Sequence, residues 1–109
     1  MNITVYAASS GQVPEVYTKA AARLGEILAE RGHTLINGAG RTGLMGATID
    51  ACLAKGGKAV GVIPQFMIDE SWQHKGMTDL IVTPNMHERK TLMAERADAC
   101  IACPGGVGT

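Results

Sequence analysis

Residues 33–46 read HTLINGAGRTGLMG. A short strand-like run, His33 to Asn37, opens into a segment with glycine at 38, 40, 43 and 46. From about Leu44 to Lys55 the pattern is helical, and it closes at Gly56-Gly57. A strand that passes through glycines into a helix is half of a β-α-β unit, which places the next strand parallel to the first. The same alternation recurs on either side. ITVYAA (3–8) is a short apolar run. PEVYTKAAARLGEILAER (14–31) has the helical period, with Val16, Ala20, Leu24, Ile27 and Leu28 expected on one face. Pro14 suits a first-turn position, Glu15 the positive helix end and Gly32 the stop. KAVGVIP (58–64) and DLIVTP (79–84) read as further strands, MHERKTLMAERA (86–97) as a helix and DACIAC (98–103) as a last strand.

This alternation predicts an α/β fold: a Rossmann-like, doubly wound parallel sheet with helices on both faces, one domain over residues 1–109. In such folds ligands bind beyond the carboxyl ends of the strands, where the strand order reverses. Ser9-Ser10-Gly11, the glycine loop at 38–46, Pro64 and the terminal PGGVGT all follow strands and are expected to converge there.

Composition narrows the function classes. Ten basic and ten acidic residues cancel, so no field favours nucleic acid or an anionic membrane. No apolar run approaches the roughly 20 residues of a membrane span, and MNITVYAASS lacks the basic start and long apolar stretch of a secretory signal. A cytoplasmic location is the expectation. Three cysteines, an odd number, argue against a disulfide framework. Cys100 and Cys103 form a C-x-x-C, but within an apolar strand rather than at the helix N-terminus that redox chemistry uses. A zinc site needs more ligands, and His33, His74 and His87 are scattered. Neither a metal site nor redox chemistry at these cysteines is expected.

Three segments carry candidate chemistry. Gly38-x-Gly40-x-x-Gly43 matches the dinucleotide pattern between strand and helix. It follows the second strand, and no acidic ribose reader lies at a strand end about 20 residues on. The glycines therefore bring backbone close to a phosphate or ribose, or simply permit tight packing. Gly105, Gly106, Val107, Gly108 and Thr109 could turn successive N–H groups into one anion-binding concavity, or make a plain strand-to-helix turn. In the 86–97 helix, Met86, Met93 and Ala97 form the inward stripe, while His87, Glu88, Thr91 and Glu95 fall on the other side. Arg89 and Lys90 flank the stripe near the helix start, where the dipole does not favour cations. They either snorkel past it or serve a ligand; arginine offers the paired donors that suit phosphate or carboxylate.

GLMG, VIP, MHERK…MAERADA and PGGVGT, in this order, resemble the LOG (LONELY GUY) family of cytokinin riboside 5′-monophosphate phosphoribohydrolases, long labelled possible lysine decarboxylases. The resemblance covers essentially the whole chain. It implies a Rossmann-like homodimer that hydrolyses the N-glycosidic bond of AMP or N6-substituted AMP, releasing free base and ribose 5-phosphate without a cofactor. By the same resemblance Arg89 is catalytic and Lys90 contacts substrate. Gly105, Gly106, Val107, Gly108 and Thr109 receive the phosphate, and Ser10, Gly38, Gly40 and Gly43 are candidates for further nucleotide contacts. The family signature P-G-G-x-G-T-x-x-E puts the catalytic glutamate just past Thr109, so the chain is expected to be the N-terminal portion of a longer LOG-type domain. Two departures stand out. Ala39 replaces the middle of three glycines, harmless if its φ is negative. Ser71, beside Glu70, stands where many members have a substrate-contacting glutamate. Met67, Trp72 and Met77 supply either a dimer interface or cover for the sheet. The competing readings are a non-catalytic nucleotide-binding module and a decarboxylase; the latter needs a pyridoxal-phosphate lysine, and Lys19, Lys55, Lys58, Lys75 and Lys90 offer no convincing Schiff-base setting.

Overall fold

Side chains alternate across a strand, and here helices pack on both faces of the sheet's central strands. The computed structural model describes residues 1–7 and 13–103. Its elements are β1 (Asn2–Tyr6), α1 (Glu15–Glu30), β2 (Thr34–Asn37), α2 (Gly43–Ala54), β3 (Lys58–Pro64), α3 (Gln65–Asp69), β4 (Asp79–Thr83), α4 (Met86–Glu95) and β5 (Ala99–Ala102). The strands form one parallel sheet in the order β4-β3-β2-β1-β5. From β1 to β4 the chain steps steadily outward, then α4 carries it back across the sheet to lay β5 beside β1. The order reverses at β1, which is where a doubly wound fold opens its crevice.

One face of the sheet, carrying Ile3, Val5, Leu35 and Ala59, packs against Ala21 and Leu28 of α1 and Leu44, Ile49 and Cys52 of α2. The other face, carrying Ile36 and Val62, packs against Met93 of α4. Each large buried aliphatic side chain contributes about 1.5–3 kcal/mol. At the far end of α4, the buried Thr4 hydroxyl donates to the Met93 carbonyl at 2.7 Å, tying that helix to β1.

The inward face of α1 differs from the expectation. Leu28 is buried and Leu24 packs against the core, as expected, but Val16 is 66% exposed and Ala20 is also exposed, and Ala21 and Gly25 are buried in their place. The reason is how closely α1 crosses α2. A Cβ on Gly25 would lie 2.3 Å from the Thr48 carbonyl oxygen, so the small residues set the contact line and rotate the larger ones aside. α3 is a short helix with no counterpart in the sequence pattern.

Candidate functional site

Asn85 caps α4: its side-chain oxygen accepts the Glu88 N–H at 2.8 Å. That cap holds the first turn of α4 at the carboxyl ends of β2 and β3, and Arg89 extends from it into the sheet edge. Its Nε donates to the Val62 carbonyl at 2.9 Å and its Nη2 to the Gly38 carbonyl at 2.6 Å. Nη1 lies 3.4 Å from the Met86 sulfur. A guanidinium has five N–H donors. The second hydrogen on Nη1 and on Nη2 has no partner among the described residues.

Arg89 carries its charge in an uncomfortable place. It is half-buried, and burial pushes its pKa down from the ordinary arginine value, although a guanidinium still keeps its proton in a protein. It lies near the positive end of α4, where the dipole opposes a cation. Among the described residues no ion pair reaches it. A cation so placed is stabilised by an anion arriving from outside.

Two hollows of about 360 and 370 Å³ meet at Gly38, Met45 and Arg89, each within the size range of small-molecule sites. The first is walled by the glycine loop, Ile63, Met67 and Trp72. The second lies over the end of β1, with Tyr6, Met86 and Lys90. Arg41, Arg89 and Lys90 line this cleft, and no Asp or Glu among the described residues does. Its electrostatics therefore favour an anionic ligand, and Met45, Met67 and Trp72 favour one with an apolar end.

The glycine loop is organised from below. Asn37, fully buried at the end of β2, accepts the Ala39 N–H on its side-chain oxygen at 2.9 Å, a side-chain turn that bends the chain sharply. Ala39 has φ 61°, so the expectation of a negative φ is corrected: the residue sits in the left-handed region that glycine enters freely and alanine does not. Its methyl is fully buried against Gly61, where an added Cβ would lie only 2.5 Å away. Gly38 has no side chain for a different reason, since a Cβ there would lie 1.9 Å from Arg89 Nη2.

Of the residues marked from sequence, Gly38, Gly40, Arg89 and Lys90 line the cleft. Gly43 does not; with φ 64° it turns the chain into α2. Ser10 and Gly105–Thr109 lie outside the described residues. Glu70 and Ser71 are exposed and line neither hollow. Met67 and Trp72 wall the first hollow, and Met77 packs on the core. Cys100 is exposed and Cys103 packs on the α1–α2 side. Sequence reasoning passed over Arg41, Asn37 and Met45. An arginine within a glycine loop, and an asparagine directly before a glycine at a strand end, were the available signals.

These features define a class: a Rossmann-like α/β protein whose crevice at the strand ends is built around an arginine and suits a small anionic ligand. The family follows from comparison with known proteins. The chain matches the model described as possible lysine decarboxylase over residues 45–109 and belongs to that family, the LOG family that its motifs resemble. It is 42% identical over 107 residues to the cytokinin riboside 5′-monophosphate phosphoribohydrolase of Mycobacterium marinum, covering 98% of this chain and 57% of that protein. It is 37% identical over 107 residues to the Arabidopsis thaliana enzyme of the same name, LOG5, covering 98% of this chain and 47% of that one. The chain thus spans about half the length of the curated relatives it matches. Among solved structures, the molybdenum cofactor carrier protein of Chlamydomonas reinhardtii superposes with a TM-score of 0.85 at 24% identity, covering 98% of this chain and 64% of that one. At that identity the likeness is one of fold.

Proposed function

We propose that this chain is part of a nucleoside 5′-monophosphate phosphoribohydrolase acting on AMP or N6-substituted AMP. Water adds to C1′ of the ribose as the C1′–N9 bond breaks, and the base leaves with a proton, giving free base and ribose 5-phosphate. The observation that carries this reading is the half-buried Arg89, which has no carboxylate partner among the described residues and directs its free donors into a cleft lined by cations. The names of the relatives supply the substrate class.

Bond cleavage builds positive charge on the ribose, which a carboxylate stabilises in glycosyl hydrolysis generally. The family signature carries that carboxylate past Thr109. Arg89 contributes by gripping an oxygen of the nucleotide and orienting the sugar, and Lys90 adds a second cation on the β1 side. The hollow at Met67 and Trp72 suits a base with an apolar N6 substituent.

The decarboxylase label fits poorly. Free lysine is a cationic substrate, and the cleft presents Arg41, Arg89 and Lys90 with no acidic residue among the described ones. Lys90 is the lysine that lines the cleft, and it is exposed rather than desolvated as a Schiff-base lysine is.

A homodimer in the cytoplasm completes the proposal. Phe66 and Val82, 48% and 46% exposed, are apolar surface consistent with a partner, and no helix among the described residues is long and apolar enough to cross a membrane. Light scattering tests the assembly. The activity is tested by incubating protein that extends through the signature glutamate with AMP, N6-isopentenyl-AMP and lysine, with chromatography for free base. Adenine release that is abolished in Arg89→Ala is expected. AMP binding without base release would establish the binding-module alternative instead.

A further inference from the structure

The Gly38 carbonyl that seats Arg89 belongs to a loop whose conformation is strained at Ala39. Left-handed φ costs an alanine roughly 1–2 kcal/mol, so something outside the loop must hold it. Part of the hold comes from the stretch after α3. Gly40 forms an antiparallel bridge with Gln73, and the His74 N–H donates to the Ala39 carbonyl at 2.7 Å. The position of that stretch is set in turn by the His74 ring. Nδ1 accepts the Gly76 N–H at 2.9 Å. With Nδ1 accepting, the ring proton is on Nε2, which donates to Asp50 Oδ1 of α2 at 2.6 Å. The neutral ring is satisfied at both nitrogens, with its side chain only 15% exposed.

We infer that His74 is a positioning residue for the cleft: its ring, strung between Asp50 and the Gly76 amide, holds residues 73–74 against the glycine loop and so aligns the Gly38 carbonyl under the Arg89 guanidinium. The inference rests on the proposed function only in taking Arg89 as the ligand-facing group. His74 lines neither hollow, so it acts through Arg89 rather than on the substrate.

The test uses protein that extends through the signature glutamate and compares His74→Leu, His74→Gln and Asp50→Ala, each with and without Arg89→Lys. Glutamine places an N–H near the position of Nε2 and restores the bond to Asp50. Asp50 is 68% exposed at its side chain, so its alanine variant does not threaten the fold. Two quantities are read: solvent exchange of the Arg89 Nε–H by NMR, and kcat/KM for AMP. His74→Leu is expected to speed Nε–H exchange and lower kcat/KM roughly 10- to 100-fold, the cost of small misplacement at a reacting centre. Asp50→Ala moves both the same way by less, and His74→Gln recovers most of the loss. In the Arg89→Lys background the His74→Leu penalty largely disappears, because the group it aligns is gone. Unchanged Nε–H exchange in both His74→Leu and Asp50→Ala overturns the inference, as do penalties that simply multiply with Arg89→Lys. Should the wild-type chain release no base, the proposed function fails while the exchange measurement still decides the role of His74.

Discussion

Gly38→Ala tests the seating of Arg89 most directly. Gly38 is not among the residues with positive φ, so alanine meets no backbone penalty there, and the whole effect comes from the new methyl. Its carbon would fall 1.9 Å from Arg89 Nη2 and 2.7 Å from Cζ, so the guanidinium must leave. Leaving breaks its bonds to the Gly38 and Val62 carbonyls, each of a kind worth about 1.5–3 kcal/mol when the donor is charged. Rehydration of the displaced guanidinium offsets part of this, so a net loss of about 1–3 kcal/mol in stability is expected. Losing the charged donors from the cleft is expected to weaken AMP binding roughly 10- to 100-fold. Urea denaturation and calorimetric AMP titration of wild type, Gly38→Ala, Arg89→Ala and the double variant measure both. Alanine at 89 removes the obstacle, so in that background Gly38→Ala should cost no more than about 0.5 kcal/mol. Were the two single penalties to add, the methyl would be acting on something other than the guanidinium, and the seating of Arg89 by Gly38 would be wrong.

Trp72→Ala is expected to lower kcat/KM for N6-isopentenyl-AMP about tenfold relative to AMP, through lost apolar contact; an unchanged ratio removes Trp72 from substrate selection. Gly61→Ala should destabilise the fold by about 1–3 kcal/mol through overpacking against Ala39, and Ala39→Gly in the same chain should relieve most of that; denaturation midpoints decide. Burial raises the pKa of the Cys52 and Cys103 thiols, so the fold favours their protonated forms. Their contribution to stability is complete below the ordinary thiol pKa and is lost as pH rises through the folded values, so the melting temperature should fall above roughly pH 9. The exposed Cys100 should react with a thiol reagent at neutral pH before Cys52 does, as mass spectrometry of the labelled chain would record.

Much of the fold was legible because strands and helices have different periods. KAVGVIP and DLIVTP mark β3 and β4 to within a residue; β3 is buried on both faces and reads as a nearly continuous apolar run, while the edge strand β4 shows through its β-branched residues. The α4 stripe was legible too: Met93 is buried, and His87, Glu88, Thr91 and Glu95 are exposed. The inward face of α1 was legible only in part, at Leu24 and Leu28 and not at Val16 or Ala20. A hydrophobic stripe locates a helix face only when side-chain size does not govern the approach, and here Gly25 against the Thr48 carbonyl does. α3 escaped because five residues are too few to show a helical period.

The cleft divides along a similar line. Arg89 could be picked out because a cation beside an inward stripe at the wrong end of a helix is a local contradiction, visible within a dozen residues. What Arg89 rests on was not visible, because its support comes from Gly38 and Val62, separated from it by 51 and 27 positions. Ala39 shows why such support escapes a reading of sequence. Taken alone, an alanine among glycines suggests ordinary negative φ, yet one neighbour and two distant partners hold it at 61°. Asn37 takes its N–H, His74 takes its carbonyl and Gly61 makes room for its methyl. Asn37 left a signal in the sequence, but His74 and Gly61 did not, and the sheet order that sets β3 beside β2 brings Gly61 to the loop. A local rule broken at a cleft is therefore best explained by what the fold imports from elsewhere, and here it imports a clamp around the loop that carries the arginine's seat.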